Sequence, residues 1–138
     1  MADETKVKRQ LFNYIADNKI SDALILINSR NDIYKAGYKC GDSNELYDSL
    51  IYSIIFNKRE IALALINKHI YLDSYGYGDQ TALHYACKYQ QLDIAHALIE
   101  NGANVNLVDS DKFTPLYWIC IYNNVDLAIA MIEKGANV

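Results

Sequence analysis

Apolar residues along this chain recur at helical spacing within short segments, which polar residues and glycines separate. Leu83, Ala86 and Cys87 stand at positions i, i+3 and i+4, so they fall on one face of an α-helix. A second apolar segment begins at Leu92 and ends before Gly102. The pattern therefore predicts pairs of short amphipathic helices.

The pattern repeats with a period of 33 residues. Residues 81–87 match residues 114–120, and residues 99–105 match residues 132–138 at the same offset. Because two separated segments share one spacing, the sequence predicts a repeat architecture in which each unit stacks on the next.

Two earlier copies keep the apolar positions but not the polar ones. The second copy carries Leu50, Ala62, Leu65 and Leu72, and the first carries Leu11, Ala23, Leu26, Ile27 and Ile33. Between Ile33 and Leu50 lie six residues more than the period allows, so we expect an enlarged loop over residues 34–45.

The ends of the predicted helices carry residues that suit them. Thr81 can accept a hydrogen bond from a free amide as an N-cap, and Pro115 fits the first turn, where its missing N–H does no harm. Residues that tolerate positive φ follow the helices, at Asn57, Gly102, Asn123 and Gly135.

These motifs resemble those of the ankyrin-repeat family. The resemblance rests on residues 81–87, residues 92–95 and the Gly-Ala-Asn-Val phrase at residues 102–105, with their counterparts in the last repeat. It implies an all-α solenoid of stacked antiparallel helix pairs with β-hairpin or loop fingers. It also implies that the structural residues of the motif are Thr81, His84, Gly102, Thr114, Pro115 and Gly135.

On this resemblance residues 1–138 form a single ankyrin-repeat domain. Its repeats span residues 4–33, 43–75, 76–108 and 109–138. The chain stops in the middle of the phrase that continues one repeat earlier, and apolar residues crowd the last predicted helix at Leu127, Ile129, Met131 and Ile132. We therefore expect a fragment of a longer protein.

Composition narrows the class of protein. The net charge of −4 argues against nucleic-acid binding, which normally needs a basic face. The N-terminus lacks the apolar core of a signal peptide, and the longest apolar runs are too short to span a membrane. Three cysteines, an odd number, favour a reducing compartment. We expect an intracellular, cytoplasmic monomer, and the Ile, Asn, Lys and Tyr bias would suit an effector from an AT-rich pathogen.

Motifs that could carry chemistry are incomplete. His84 and Cys87 lie three residues apart, but a metal site needs more ligands than this segment offers, so we interpret both as structural. Gly76 and Gly78 lack the context of a phosphate loop, and residues 109–111 lack the Gly and Glu of a calcium loop. The sequence predicts no enzyme activity, no metal and no cofactor.

Aromatic residues recur at two positions of the inner helix. Tyr52, Tyr85 and Trp118 form one row, and four residues further Phe56, Tyr89 and Tyr122 form a second row on the same helical face. For the first row, packing between repeats and partner contact remain equally open, whereas we assign the second row to partner binding. The candidate surface extends to Tyr47, Tyr77, Lys88 and Phe113.

The resemblance implies protein binding through the concave surface formed by inner helices and fingers. We therefore expect a protein–protein interaction module in a scaffold or adaptor. Two alternatives stay open: an inhibitor resembling the four-repeat ankyrin inhibitors of cyclin-dependent kinases, and a fragment of an enzyme or effector that presents substrate to a missing domain.

Overall fold

A computed structural model of the chain describes residues 2–29, 49–68 and 70–138. Within these ranges the chain forms eight α-helices and no strand. The helices are α1 (Ala2–Ala16), α2 (Ile20–Ser29), α3 (Ser49–Ile55), α4 (Arg59–Asn67), α5 (Ala82–Lys88), α6 (Leu92–Glu100), α7 (Pro115–Ile121) and α8 (Val125–Glu133).

The helices form four pairs, and the pairs stack in chain order. Each odd-numbered helix packs against the even-numbered helix that follows it. The helices α1, α3, α5 and α7 also pack in sequence as an inner row, and α2, α4, α6 and α8 pack as an outer row. The predicted all-α ankyrin-type solenoid is therefore confirmed.

The core of the stack repeats with the sequence. Apolar side chains of equivalent positions are fully buried in the last three pairs, as Leu65, Leu98 and Met131 show in the outer row. Ala62 and Ala95 are also fully buried, and such small side chains let neighbouring helices approach closely. Burial of a continuous apolar face between pairs stabilises the array, because one pair alone cannot cover its own apolar side.

The apolar side chains of the last helix, α8, are only partly exposed. Leu127 and Met131 are completely buried, and only Ile129 and Ile132 of the four apolar residues named above face solvent. The helix is amphipathic, since one of its faces packs against α6.

The connections between pairs that lie within residues 70–138 are turns. An isolated antiparallel bridge joins Tyr75 to Thr81, and a short 3-10 turn over residues 77–79 lies between them with Gly78 at a φ of 68°. The next finger is closed by the Asp109 N–H, which donates to the Phe113 carbonyl at 2.9 Å. The fingers of the described residues are therefore loop fingers.

A second set of connections repeats at the same period. The Asn104 N–H donates to the carboxylate of Asp73 at 2.8 Å, and the Asn137 N–H donates to the side-chain oxygen of Asn106 at 2.8 Å. Donor and acceptor are each displaced by 33 residues, so the same polar contact links successive units.

The predicted helix ends are present. Thr81 is the N-cap of α5 in a capping box with His84, and Pro115 occupies the first turn of α7. Gly102 and Gly135 have φ values of 90° and 94°. Thr114 holds extended backbone at the N-cap of α7, but its side chain makes no capping hydrogen bond.

Three predictions lie outside the described residues. They are the enlarged loop over residues 34–45, the boundary between the first two repeats, and the position of Tyr47.

Candidate partner-binding surface

The second aromatic row lies in equivalent positions at the ends of the inner helices. Phe56, Tyr89 and Tyr122 each follow the last residue of α3, α5 or α7, and their exposed fractions are 45%, 46% and 41%. The backbone N–H of each donates to the carbonyl four residues earlier, at 2.9–3.1 Å. The helices therefore hold three aromatic side chains at a fixed spacing, each about half exposed.

The first row packs into the stack. Tyr85 is buried, and its hydroxyl donates to the Tyr77 carbonyl at 3.3 Å. Tyr52 and Trp118 are half-buried against the core, and the Tyr52 ring stacks on Phe12 at 3.9 Å between centroids. All three rings of the first row therefore take part in packing within the stack.

The two aromatic rows are in contact in two of the repeats. The ring centroids of Tyr52 and Phe56 lie 4.3 Å apart, and those of Tyr85 and Tyr89 lie 6.1 Å apart. Because the buried ring limits the rotamers of its exposed neighbour, the exposed ring loses less entropy when a partner covers it.

Lys88 lies between two repeats. Its ammonium nitrogen is 5.8 Å from the Tyr89 ring centroid and 5.4 Å from the Trp118 ring centroid. Both distances suit cation–π attraction. The side chain is half-buried, so the lysine places a positive charge beside the second row.

The finger side of the surface carries another aromatic pair. Phe113 stacks on Tyr117 with centroids 3.8 Å apart and planes at 9°, and both rings are partly exposed. Tyr117 in turn meets the edge of Trp118. Sequence reasoning did not select Tyr117, although its place at the position of His84 in the previous repeat was a usable signal.

Tyr77 is the most exposed aromatic residue of the predicted set. Its side chain is 78% exposed in the turn at Gly78, while its carbonyl accepts the hydrogen bond from Tyr85. The structure therefore anchors the backbone of this finger and leaves the ring free to contact a partner.

The motif histidine is buried and hydrogen-bonded on both ring nitrogens. The Thr81 N–H donates to His84 Nδ1 at 3.1 Å, and His84 Nε2 lies 2.9 Å from the Phe113 carbonyl oxygen. Since a carbonyl only accepts, the ring proton is on Nε2. Burial lowers the pKa of His84 from its ordinary value, which keeps the ring neutral.

The other groups that the sequence raised for chemistry have structural surroundings. Cys87 is buried, and burial raises the pKa of its thiol to about 12. Asp109 accepts hydrogen bonds from the backbone N–H groups of Asp111 and Phe113, both at 2.9 Å, and so forms a turn. Among the described residues, no three His, Cys, Asp or Glu side chains are grouped as a metal site would require.

Within the parts of the chain that the structure describes, none of the helices has both the length and the apolar composition needed to cross a membrane.

Comparison with known families supports the repeat pattern. Residues 50–138 match the family model for ankyrin repeats in three copies. The matched region contains α4 to α8, all of α3 except its first residue, and every predicted surface residue except Tyr47. A comparison with curated proteins found no match.

Proposed function

Because the chain belongs to the ankyrin-repeat family, we propose that it binds another protein through the exposed aromatic row of Phe56, Tyr89 and Tyr122. Ankyrin repeats are protein–protein interaction modules, and the family is generally not catalytic. In this proposal the aromatic row is the surface of the chain that contacts the partner.

The observation that carries the proposal is the regular exposure of the three rings. Each ring leaves about half of its surface in water. A row of exposed aromatics is unfavourable for a surface that never binds, whereas Tyr is enriched at the centres of protein interfaces.

The surrounding residues extend the same surface. Lys88 supplies a charge beside Tyr89 and Trp118, and Phe113 and Tyr117 form a flat stacked pair toward the fingers. An apolar centre with a polar edge is the usual composition of a protein interface. Tyr85 contributes by holding Tyr89 and the Tyr77 finger in place.

The experiment compares two double variants as baits for proximity labelling in cells. Tyr89→Ala with Tyr122→Ala removes the middle and the end of the row. Tyr71→Ala with Tyr75→Ala is the matched control, because both tyrosines are more than half exposed and lie between α4 and α5.

We expect the row variant to lose the proteins that the unsubstituted chain labels, and the control to keep them. Both variants should melt within a few degrees of the unsubstituted chain, since each of the four rings is about half exposed. Equal labelling by the row variant and the unsubstituted chain would contradict the proposal.

A further inference from the structure

The inner helices of the last three repeats carry a single positive charge. Over residues 49–55, 82–88 and 115–121, which form α3, α5 and α7, Lys88 is the only residue with a formal charge, since burial keeps His84 neutral. The helix α5 packs against α3 on one side and against α7 on the other. Repeats on both sides of α5 therefore define the surroundings of Lys88.

This charge has aromatic neighbours and no acidic one. The ammonium nitrogen of Lys88 lies over the rings of Tyr89 and Trp118. Among the described residues no carboxylate forms an ion pair with it, whereas Arg59 pairs with Asp93. A ring face attracts a cation but does not neutralise its charge. Lys88 therefore presents an uncompensated positive charge between aromatic rings.

The rings make Lys88 a favourable place for an anionic group of a partner. When an apolar partner surface covers the rings, water is excluded, and an ion pair formed there is stronger than one in open solvent. The chain as a whole has a net charge of −4, so it does not attract acidic proteins in general. A preference for an acidic partner residue would therefore come from Lys88 itself.

The aromatic row has a spacing that an extended peptide can match. The helices α3, α5 and α7 pack side by side, and the axes of packed helices are about 8–10 Å apart. An extended chain advances about 3.3 Å per residue, so about three residues span one repeat. A segment that covers Phe56 and Tyr122 with apolar side chains thus places the residue midway between them beside Lys88 and Tyr89.

From this charge, its rings and this spacing we infer that the partner contributes an extended segment with an Asp or Glu at its centre. The carboxylate of that residue pairs with Lys88, and an apolar side chain about three residues away on either side covers the aromatic row. The inference rests on the proposed function, because the apolar contacts are those of the row. It adds the chemistry of the partner.

Peptide display on the purified chain tests the inference. The probe is a library of random peptides of about 12 residues, since helices of this length are marginal in water and such peptides bind in extended form. We expect the unsubstituted chain to select a consensus with one acidic position between two apolar positions.

Two lysine variants locate the source of the acidic preference. Lys88→Met keeps the apolar stem and removes the charge, so it should select peptides that keep the apolar positions and lose the acidic one. Lys19→Met is the matched control, because Lys19 is an exposed lysine in the turn between α1 and α2. It should select the same consensus as the unsubstituted chain.

A double-mutant cycle on the consensus peptide measures the ion pair. In fluorescence anisotropy Lys88→Met should weaken binding about tenfold, and so should replacement of the acidic residue of the peptide by its amide. The two changes together should weaken binding little further, since each removes the same pair. A purely structural effect of Lys88→Met, such as a lost contact with the helix dipole, would weaken both peptides equally.

Several outcomes would overturn the inference. They are a consensus without an acidic position, an acidic position that survives Lys88→Met, and additive losses in the cycle. If the unsubstituted chain selects no peptide, an extended segment is not the partner, and the labelling experiment alone decides on the aromatic row. If Tyr89→Ala with Tyr122→Ala binds the same peptides, the aromatic row is contradicted, while the cycle still decides whether Lys88 holds a carboxylate.

Discussion

His84 Nε2 lies 2.9 Å from the carbonyl oxygen of Phe113, and this contact joins α5 to the finger that precedes α7. The same carbonyl accepts the Asp109 N–H, and the Phe113 N–H donates to the Asp109 carboxylate. The backbone of Phe113 is thus fixed from three directions while its ring remains partly exposed on the candidate surface.

We predict that His84→Ala destabilises the fold by about 2–3 kcal/mol, because it leaves the buried Thr81 N–H without its acceptor and removes a fully buried ring. Urea unfolding followed by circular dichroism measures the change. The control is His96→Ala, since His96 is only half-buried on α6, and it should cost less than about 1 kcal/mol. Equal losses in the two variants would show that the contact with Phe113 contributes little.

The same histidine makes stability depend on pH. Burial holds the pKa of His84 below its ordinary value of 6.5, so at mildly acidic pH the unfolded chain binds a proton that the folded chain does not. The contribution is complete above pH 6.5 and is lost as the pH falls toward the folded pKa, at up to about 1.4 kcal/mol per pH unit.

Urea unfolding at half-unit steps from pH 7.5 to pH 5 measures this loss. We expect His84→Gln to be less stable than the unsubstituted chain at pH 7.5 but to lose less stability on acidification. Because the two chains differ only at residue 84, the difference between the two curves gives the effect of His84. Parallel curves would mean that His84 takes up its proton equally well in the folded state.

The features that the sequence predicted are those that local rules determine. The 33-residue period, the Thr81 cap and the positive φ of Gly102 each depend on residue types within a single repeat, and all are present. The period also predicted which positions stack, because an apolar position that recurs in each repeat must be covered by the next repeat.

The features that depend on tertiary contacts could not be predicted from the sequence. Tyr85 and Tyr89 share a helical face, so the sequence does not show which of the two is buried. In the structure Tyr85 is buried, and its hydroxyl donates to the Tyr77 carbonyl. Tyr117 was missed because its stacking partner, Phe113, lies in a finger whose conformation the sequence does not determine. His84 donates to a backbone carbonyl, and because every residue has one, the sequence does not show which carbonyl is the acceptor.

Gly102 offers a test of backbone conformation alone. Its φ of 90° lies in the left-handed region, and a Cβ built there meets no atom within 4 Å, so a substitution brings conformational strain without a clash. Ala103 and Val105, one and three residues after Gly102, are both buried, so the backbone cannot easily relax around the strained position.

We predict that Gly102→Ala costs about 1–2 kcal/mol and that Gly102→Asn costs less, because Asn adopts positive φ more readily than Ala. The chain already uses Asn in this way, at Asn57 and Asn123 with a φ of 55°. Gly135→Ala is the matched variant: its φ is 94° and its surroundings are equally open, but the residues next to it, Ala136 and Asn137, are half-buried and exposed. Those residues can rearrange, so urea unfolding should show a smaller loss there than at Gly102. If Ala and Asn at position 102 are equally unfavourable, a contact of the glycine rather than its φ determines the loss.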